Sequence, residues 1–156
     1  MFNFFKKGEE IFAPMSGECV SIERVPDETF SKRMVGDGVA IIPSEGRVVA
    51  PLNCTVIQLF ETKHAYVLKA ECGFEILIHV GIDTVNLKGE GFESYVSVSQ
   101  KLSKGDMIAN VDLDRISINE HSIYTPIIFM NAEKFKFEFK YGPVVSGRTP
   151  ISYFKN

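Results

Sequence analysis

No tryptophan occurs in this sequence, and no apolar run approaches the roughly 20 residues that a membrane-spanning helix needs. Positive charge is not in excess either. Lys and Arg together number 17 against 20 Asp and Glu, a net charge of −3, which argues against nucleic acid as a partner because that requires a basic footprint. Cysteine is scarce and odd in number. Cys19, Cys54 and Cys72 form no C-x-x-C pair, and no signal-type apolar segment opens the chain, so the sequence predicts a reducing cytoplasm and three small core thiols. The G-x-x-x-x-G-K-[ST] loop that cradles nucleotide phosphates is also missing. The opening Met1-Phe2-Asn3-Phe4-Phe5-Lys6-Lys7 is aromatic and basic but too short to anchor the chain, so at most a weak membrane-surface contact is expected there.

What is present is the composition of an ordinary globular protein, with 45% apolar and 24% charged residues, its aromatic bulk carried by 13 phenylalanines. Turn formers recur at short intervals, among them Ala13-Pro14, Gly36-Asp37-Gly38, Pro51-Leu52-Asn53, Lys88-Gly89, Lys104-Gly105 and Tyr141-Gly142-Pro143. Between them lie short runs rich in Val, Ile and Phe, the pattern of an all-β, antiparallel sandwich. Strands are predicted around Val20 and Ile22, over 56–60, 66–68 and 75–80, and over 135–139, where Phe and charged residues alternate with period two. Helix is limited to one or two turns over 26–32, with Pro26 at the first helical position. Residues 1–10 read as a short tail and 11–156 as one domain.

The chain also echoes itself. A shift of 37 residues lays Ala13-Pro14 on Ala50-Pro51, Val20 on Ile57, Ile22 on Leu59, Gly36 on Gly73, and Val39 and Ile41 on Ile76 and Ile78. Each half reads as turn, strand pair, glycine, strand. An internal duplication within one core accounts for the pattern, since neither half is large enough to be stable alone.

Chemistry rests on two of the three histidines. His121 sits in a polar stretch and reads as solvent-exposed. His79 ends the apolar run Ile76-Leu77-Ile78 and leads into a glycine turn, a rigid mount from which a ring can still reach solvent. His64 follows Glu61-Thr62-Lys63 at the end of another predicted strand. An imidazole near its ordinary pKa keeps one nitrogen nucleophilic at neutral pH, while the other can donate to a carbonyl. A second ring alongside can donate to phosphoryl oxygens. From the residues alone, two alternatives stand beside this reading. Both rings can be satisfied structural side chains, or, with a carboxylate such as Asp83, the ligands of a zinc hydrolase. No H-x-H or H-E-x-x-H spacing supports the second.

Longer motifs separate these readings. Residues 36–43, Val49-Ala50-Pro51, residues 60–65 and above all residues 73–92, running from Gly73 through His79-Val80-Gly81-Ile82-Asp83-Thr84-Val85 to Phe92, resemble the glucose-type enzyme IIA family. Its members are cytoplasmic phosphocarriers of the bacterial phosphoenolpyruvate-dependent sugar phosphotransferase system. The likeness runs from about Ile11 to Asp114, with a looser echo at Ser146-Gly147-Arg148-Thr149-Pro150-Ile151. It implies a β-sandwich built on a duplicated motif, no metal or nucleotide cofactor, and phosphoryl transfer from the phosphocarrier protein HPr to a IIB domain during sugar uptake. A regulatory module whose phosphorylation state controls other proteins is the alternative.

By position, the resemblance implies that His79 is the phosphoryl acceptor through Nε2. His64 becomes its partner histidine, Thr62 the residue that orients His64, and Gly81 the turn whose carbonyl orients His79. Asp27 and Asp83 match acidic positions that meet an arginine of HPr. Val25, Phe30, Val35, Phe60 and Leu77 match an apolar docking rim, which exposes Phe30, while Leu77 also suits a core position. The chain departs from the family after Asp114, where Asn131-Ala132-Glu133-Lys134 and the alternating phenylalanines look more strand-like. No IIB or membrane segment accompanies these residues, so the resemblance implies an encounter with the transporter in solution.

Overall fold

The computed structural model describes residues 9–117 and 123–156, so residues 1–8 and His121 lie outside the description. The Val-, Ile- and Phe-rich runs form an eight-stranded antiparallel sheet in the order β13 (Gly142–Val144), β2 (Gly17–Ser21), β3 (Asp37–Pro43), β11 (Thr125–Met130), β7 (Glu75–His79), β6 (Ala65–Ala70), β5 (Cys54–Leu59) and β9 (Lys101–Leu102). Two three-stranded sheets pack on one of its faces. One runs β1 (Glu9–Phe12), β14 (Pro150–Lys155), β12 (Lys136–Phe139); the other runs β4 (Arg47–Val49), β10 (Met107–Val111), β8 (Phe92–Ser94). The architecture is an antiparallel β-sandwich, and the helices among the described residues are single turns: α1 (Glu28–Ser31), α2 (Leu113–Ile116) and two 3-10 turns, Ile22–Arg24 and Thr84–Leu87.

Period-two alternation divides the apolar residues between the two faces of the large sheet. Val39, Ile41, Tyr66, Leu68, Ile76, Ile78, Ile127 and Phe129 face the small sheets and form the main core with Ile11, Val48, Ile108 and Phe154. The intervening residues, Ala40, Ala65, Val67, Leu77 and Ile128, face the other way and are covered by Ile22, Val25 and Phe30. His79 follows Leu77 by two positions and so belongs to this second, thinner layer.

The 37-residue echo is a backbone repeat. Phe12 N donates to Pro51 O and, 37 residues on, Val49 N donates to Pro14 O, both at 2.9 Å. Ala13 bonds Thr149 O and Gly147 N just as Ala50 bonds Asp106 O and Gly105 N, all at 2.9 Å. Gly36 and Gly73 both take positive φ, 154° and 124°. The halves differ where a strand pair was expected in each. The second half has β5 and β6, whereas residues 28–33, equivalent to β6, leave the sheet as α1 and its C-terminal turn. Ile22, read as strand, opens a 3-10 turn instead, because the Ser21 side chain accepts from Glu23 N and bends the chain. Pro26 precedes the helix rather than opening it. Asp27 is the N-cap, its carboxylate accepting from Thr29 N at 2.9 Å.

Smaller boundaries also moved. Phe60, Val80 and Phe135 each fall one residue outside their strands, and Glu9 and Glu10, assigned to the tail, pair with Phe154 and Tyr153. Cys19 and Cys54 are buried as expected, but Cys72 is exposed in the β6–β7 hairpin, where the chain turns away from the core. The alternating phenylalanines converge on Phe74, whose fully buried ring meets Phe129, Phe135, Phe137 and Phe154 edge-on at 4.9 to 6.1 Å. Phe74→Ala should cost about 3–5 kcal/mol in a denaturant melt, since four surrounding rings cannot collapse together into the space.

Candidate phosphoryl-transfer site

The site is assembled by strand register. His79 is the last residue of β7 and lies opposite Ala65, the first of β6, whose small side chain leaves the face open. His64 immediately precedes Ala65, and its carbonyl accepts from Val80 N at 2.7 Å. The two rings therefore meet edge to face, with centroids 4.9 Å apart at 81°. A tight turn at 60–64, with Lys63 N bonded to Phe60 O at 2.8 Å and Lys63 in the left-handed region, brings Thr62 back alongside. Thr62 Oγ1 lies 2.5 Å from His64 Nδ1.

On the other strand, His79 Nδ1 lies 2.8 Å from the Gly81 carbonyl. A carbonyl can only accept, so Nδ1 carries the hydrogen and Nε2 is left with the lone pair. This needs a sharp turn directly after the strand, which Gly81 supplies with φ of 80°. Asp83, at φ 61°, continues the turn into the 3-10 segment.

Burial weakens the basicity of both rings. His64, 4% exposed, is lowered to about 4, first by loss of solvation and then by repulsion from His79. His79, half-buried, is also lowered by desolvation, against the opposing pull of the Gly81 carbonyl, Asp27 and Asp83. Both rings are neutral at pH 7. The stability consequence has a definite sign. Between the unfolded value of 6.5 and about 4, the unfolded chain takes up a proton at His64 that the folded chain refuses, so stability falls as the medium is acidified. The loss attributable to His64 should reach about 3 kcal/mol by pH 4. Urea melts at pH 7.5 and pH 4.5 check this, and His64→Gln should flatten the difference.

The matched acidic and apolar positions are placed differently from one another. Asp27, half-buried at the start of α1, and Asp83, exposed beyond the glycine turn, both act electrostatically on His79. Phe30 is not an exposed rim residue. It is 6% exposed, its ring 5.0 Å from His79, because α1 folds down over the histidine strand and buries it. Val25 and Leu77 are buried in the same layer, Phe60 packs half-buried against His64 at 5.5 Å, and Val35 is 37% exposed. Among the described residues no three His, Cys, Asp or Glu side chains group closely enough to hold a metal ion.

Two residues that sequence reasoning passed over also reach the turn. Thr84 Oγ1 donates to Val80 O, and Gly81 N points to Thr125 Oγ1. Thr84 follows the glycine by three positions and was within reach of inspection. Thr125 is 44 residues away and carries no local signal.

Residues 9–135 match the family model of the phosphoenolpyruvate-dependent sugar phosphotransferase system, EIIA 1. The chain belongs to this family. It is 47% identical over 149 residues to the glucose-specific EIIA component of Buchnera aphidicola, covering 95% of this chain and 92% of that one. It is 50% identical over 125 residues to the glucose-specific EIIA component of Bacillus cereus, covering 80% and 76%. The solved structure of glucose permease IIA from Mycoplasma capricolum superposes with a TM-score of 0.88 at 38% identity, over 96% of this chain and 97% of that one. The likeness thus extends past Asp114, where the sequence reading had it loosen. This enzyme IIA is a phosphocarrier of sugar uptake, a transferase component, and a purely regulatory module is not favoured. No helix among its described residues is long and apolar enough to cross a membrane.

Proposed function

We propose that this IIA protein takes its phosphoryl group from phospho-HPr onto His79 Nε2 and passes it to a cysteine of a IIB domain, in the cytoplasm. One observation carries the reading: His79 Nδ1 is committed to the Gly81 carbonyl, which leaves Nε2 as the nucleophile, and the neutral His64 ring stands beside it. In the first step Nε2 attacks phosphorus as the donor's N–P bond breaks, and the donor imidazole leaves with the electron pair. The charge that develops on the His79 ring is spread through Nδ1–H to the Gly81 carbonyl. Thr62 donates its hydroxyl to His64 Nδ1, which keeps the proton on His64 Nε2 as a donor to the phosphoryl oxygens. In the second step a IIB thiolate attacks phosphorus and Nε2 leaves, so the resting neutral ring is restored.

Asp27 and Asp83 flank the site and meet the cationic groups of HPr, while Val35 and Phe60 offer apolar contact. Val25, Phe30 and Leu77 shape that surface from beneath. The interface is small and transient, because a carrier has to release donor and acceptor alike. The test is incubation with phosphoenolpyruvate, enzyme I and HPr, read by intact mass. A single acid-labile, alkali-stable phosphate on His79 is the expected result. No phosphate in the presence of active donors, or phosphate on another residue, overturns the assignment.

A further inference from the structure

The catalytic turn is held by more than its glycine. Thr84 Oγ1 donates to Val80 O at 2.5 Å, and Thr125 Oγ1 accepts from Gly81 N at 3.4 Å while donating to Ile123 O at 3.0 Å. Val80 C=O and Gly81 N–H are the two polar ends of one peptide plane. A planar peptide gripped at both ends cannot rotate about its flanking bonds. Both threonines are buried, at 1% and 0% exposure, so water does not replace a lost hydroxyl easily. The preceding end of the segment is fixed as well, by Val80 N on His64 O at 2.7 Å. The one carbonyl left to aim is that of Gly81, and it meets His79 Nδ1 at 2.8 Å.

We propose that Thr84 and Thr125 are positioning residues that clamp the Val80–Gly81 peptide and thereby hold His79 in the tautomer with a nucleophilic Nε2. The proposal rests on the reading of His79 as the phosphoryl acceptor. The two contacts are unequal. The bond to Thr84 is short and the one to Thr125 long, so Thr84 carries the larger share. Thr125 comes from β11, which sets β7 in the centre of the sheet, so the clamp ties the reactive turn to a central strand rather than to another loop. A hydroxyl is needed at both positions, and the methyl groups are not.

The test compares Thr84→Val, Thr84→Ser, Thr125→Val and Thr125→Ser by two readouts. Nitrogen NMR of the imidazoles reports the His79 tautomer without any phosphoryl donor. Single-turnover phosphorylation reports the rate. Thr84→Val should fold, lose the predominance of the Nδ1–H form and accept phosphate on the order of tenfold more slowly, as misaimed reacting groups do. Thr84→Ser should restore both, and Thr125→Val should show a smaller loss in the same sense. The His79 titration should move further downward in the valine variants, since burial already lowers it and the Gly81 carbonyl, with Asp27 and Asp83, stabilises the protonated ring against that loss of solvation. Valine variants that fold with an unchanged tautomer and rate, or serine variants as impaired as the valines, overturn the proposal. Should Thr84→Val not fold, the Thr125 pair decides by the same criteria. Failure of the acceptor reading is distinct, because wild-type protein would then carry no phosphate on His79 whatever the tautomer.

Discussion

His79→Gln should take up no phosphate from phosphoenolpyruvate, enzyme I and HPr, while keeping the wild-type fold. Among the described residues the ring hydrogen-bonds Gly81 O, and it is only half-buried, so its replacement by a polar side chain of similar length should change stability by about 1 kcal/mol or less. Its chemistry has no substitute. His64 has its Nδ1 engaged by Thr62 and is lowered to about 4 by burial, and its ring is nearly closed off from solvent at 4% exposure. Circular dichroism and a thermal melt on the same preparation separate loss of the acceptor from loss of the fold. Stoichiometric phosphate on the folded variant would move the reaction to another residue.

The second large effect falls on the rate of onward transfer rather than on the extent of acceptance. With phospho-HPr regenerated by excess phosphoenolpyruvate, His64→Gln should still become fully phosphorylated, since a slowed first step runs to completion. Onward transfer to a IIB cysteine should slow by about 10²-fold in a rapid-quench measurement, the usual consequence of removing one aligned donor to a transferring group. Glutamine keeps an N–H but not the arrangement in which Thr62 at 2.5 Å sets the tautomer and the perpendicular ring faces His79. Onward transfer at the wild-type rate would remove His64 from the mechanism. Acceptance at the wild-type rate with impaired onward transfer would place its action in the second step alone.

Phe30 shows what the fold adds to such a site. As a surface residue it would contribute to partner affinity only, yet its ring lies 5.0 Å from His79 and covers one side of the histidine strand. It gets there because the first copy of the repeated motif forms α1 where the second forms β6. The Asp27 N-cap, with its carboxylate on Thr29 N, starts that helix just where the strand would begin. The same Asp27 then raises the basicity of His79 that burial depresses. A local capping residue and an electrostatic neighbour of the His79 ring are thus one side chain.

The strands, their period-two faces and the duplication were legible in the sequence because each depends on local rules. Alternating apolar residues declare which side of a strand is buried, and the repeated Ala-Pro and glycine positions mark equivalent turns. That His79, His64, Thr62 and Gly81 form one candidate site was legible through two contiguous motifs, since each half of that cluster lies within five residues of one strand end. The distance between the halves was not, because it follows from β6 pairing with β7 in a register that sets Ala65 against His79. Nor could local pattern show that Phe30 and Val25 are buried, that Cys72 is exposed, or that Thr125 reaches the Gly81 turn from 44 residues away. Burial and long-range hydrogen bonds belong to the packed sheet as a whole, and no short stretch of chain determines them by itself.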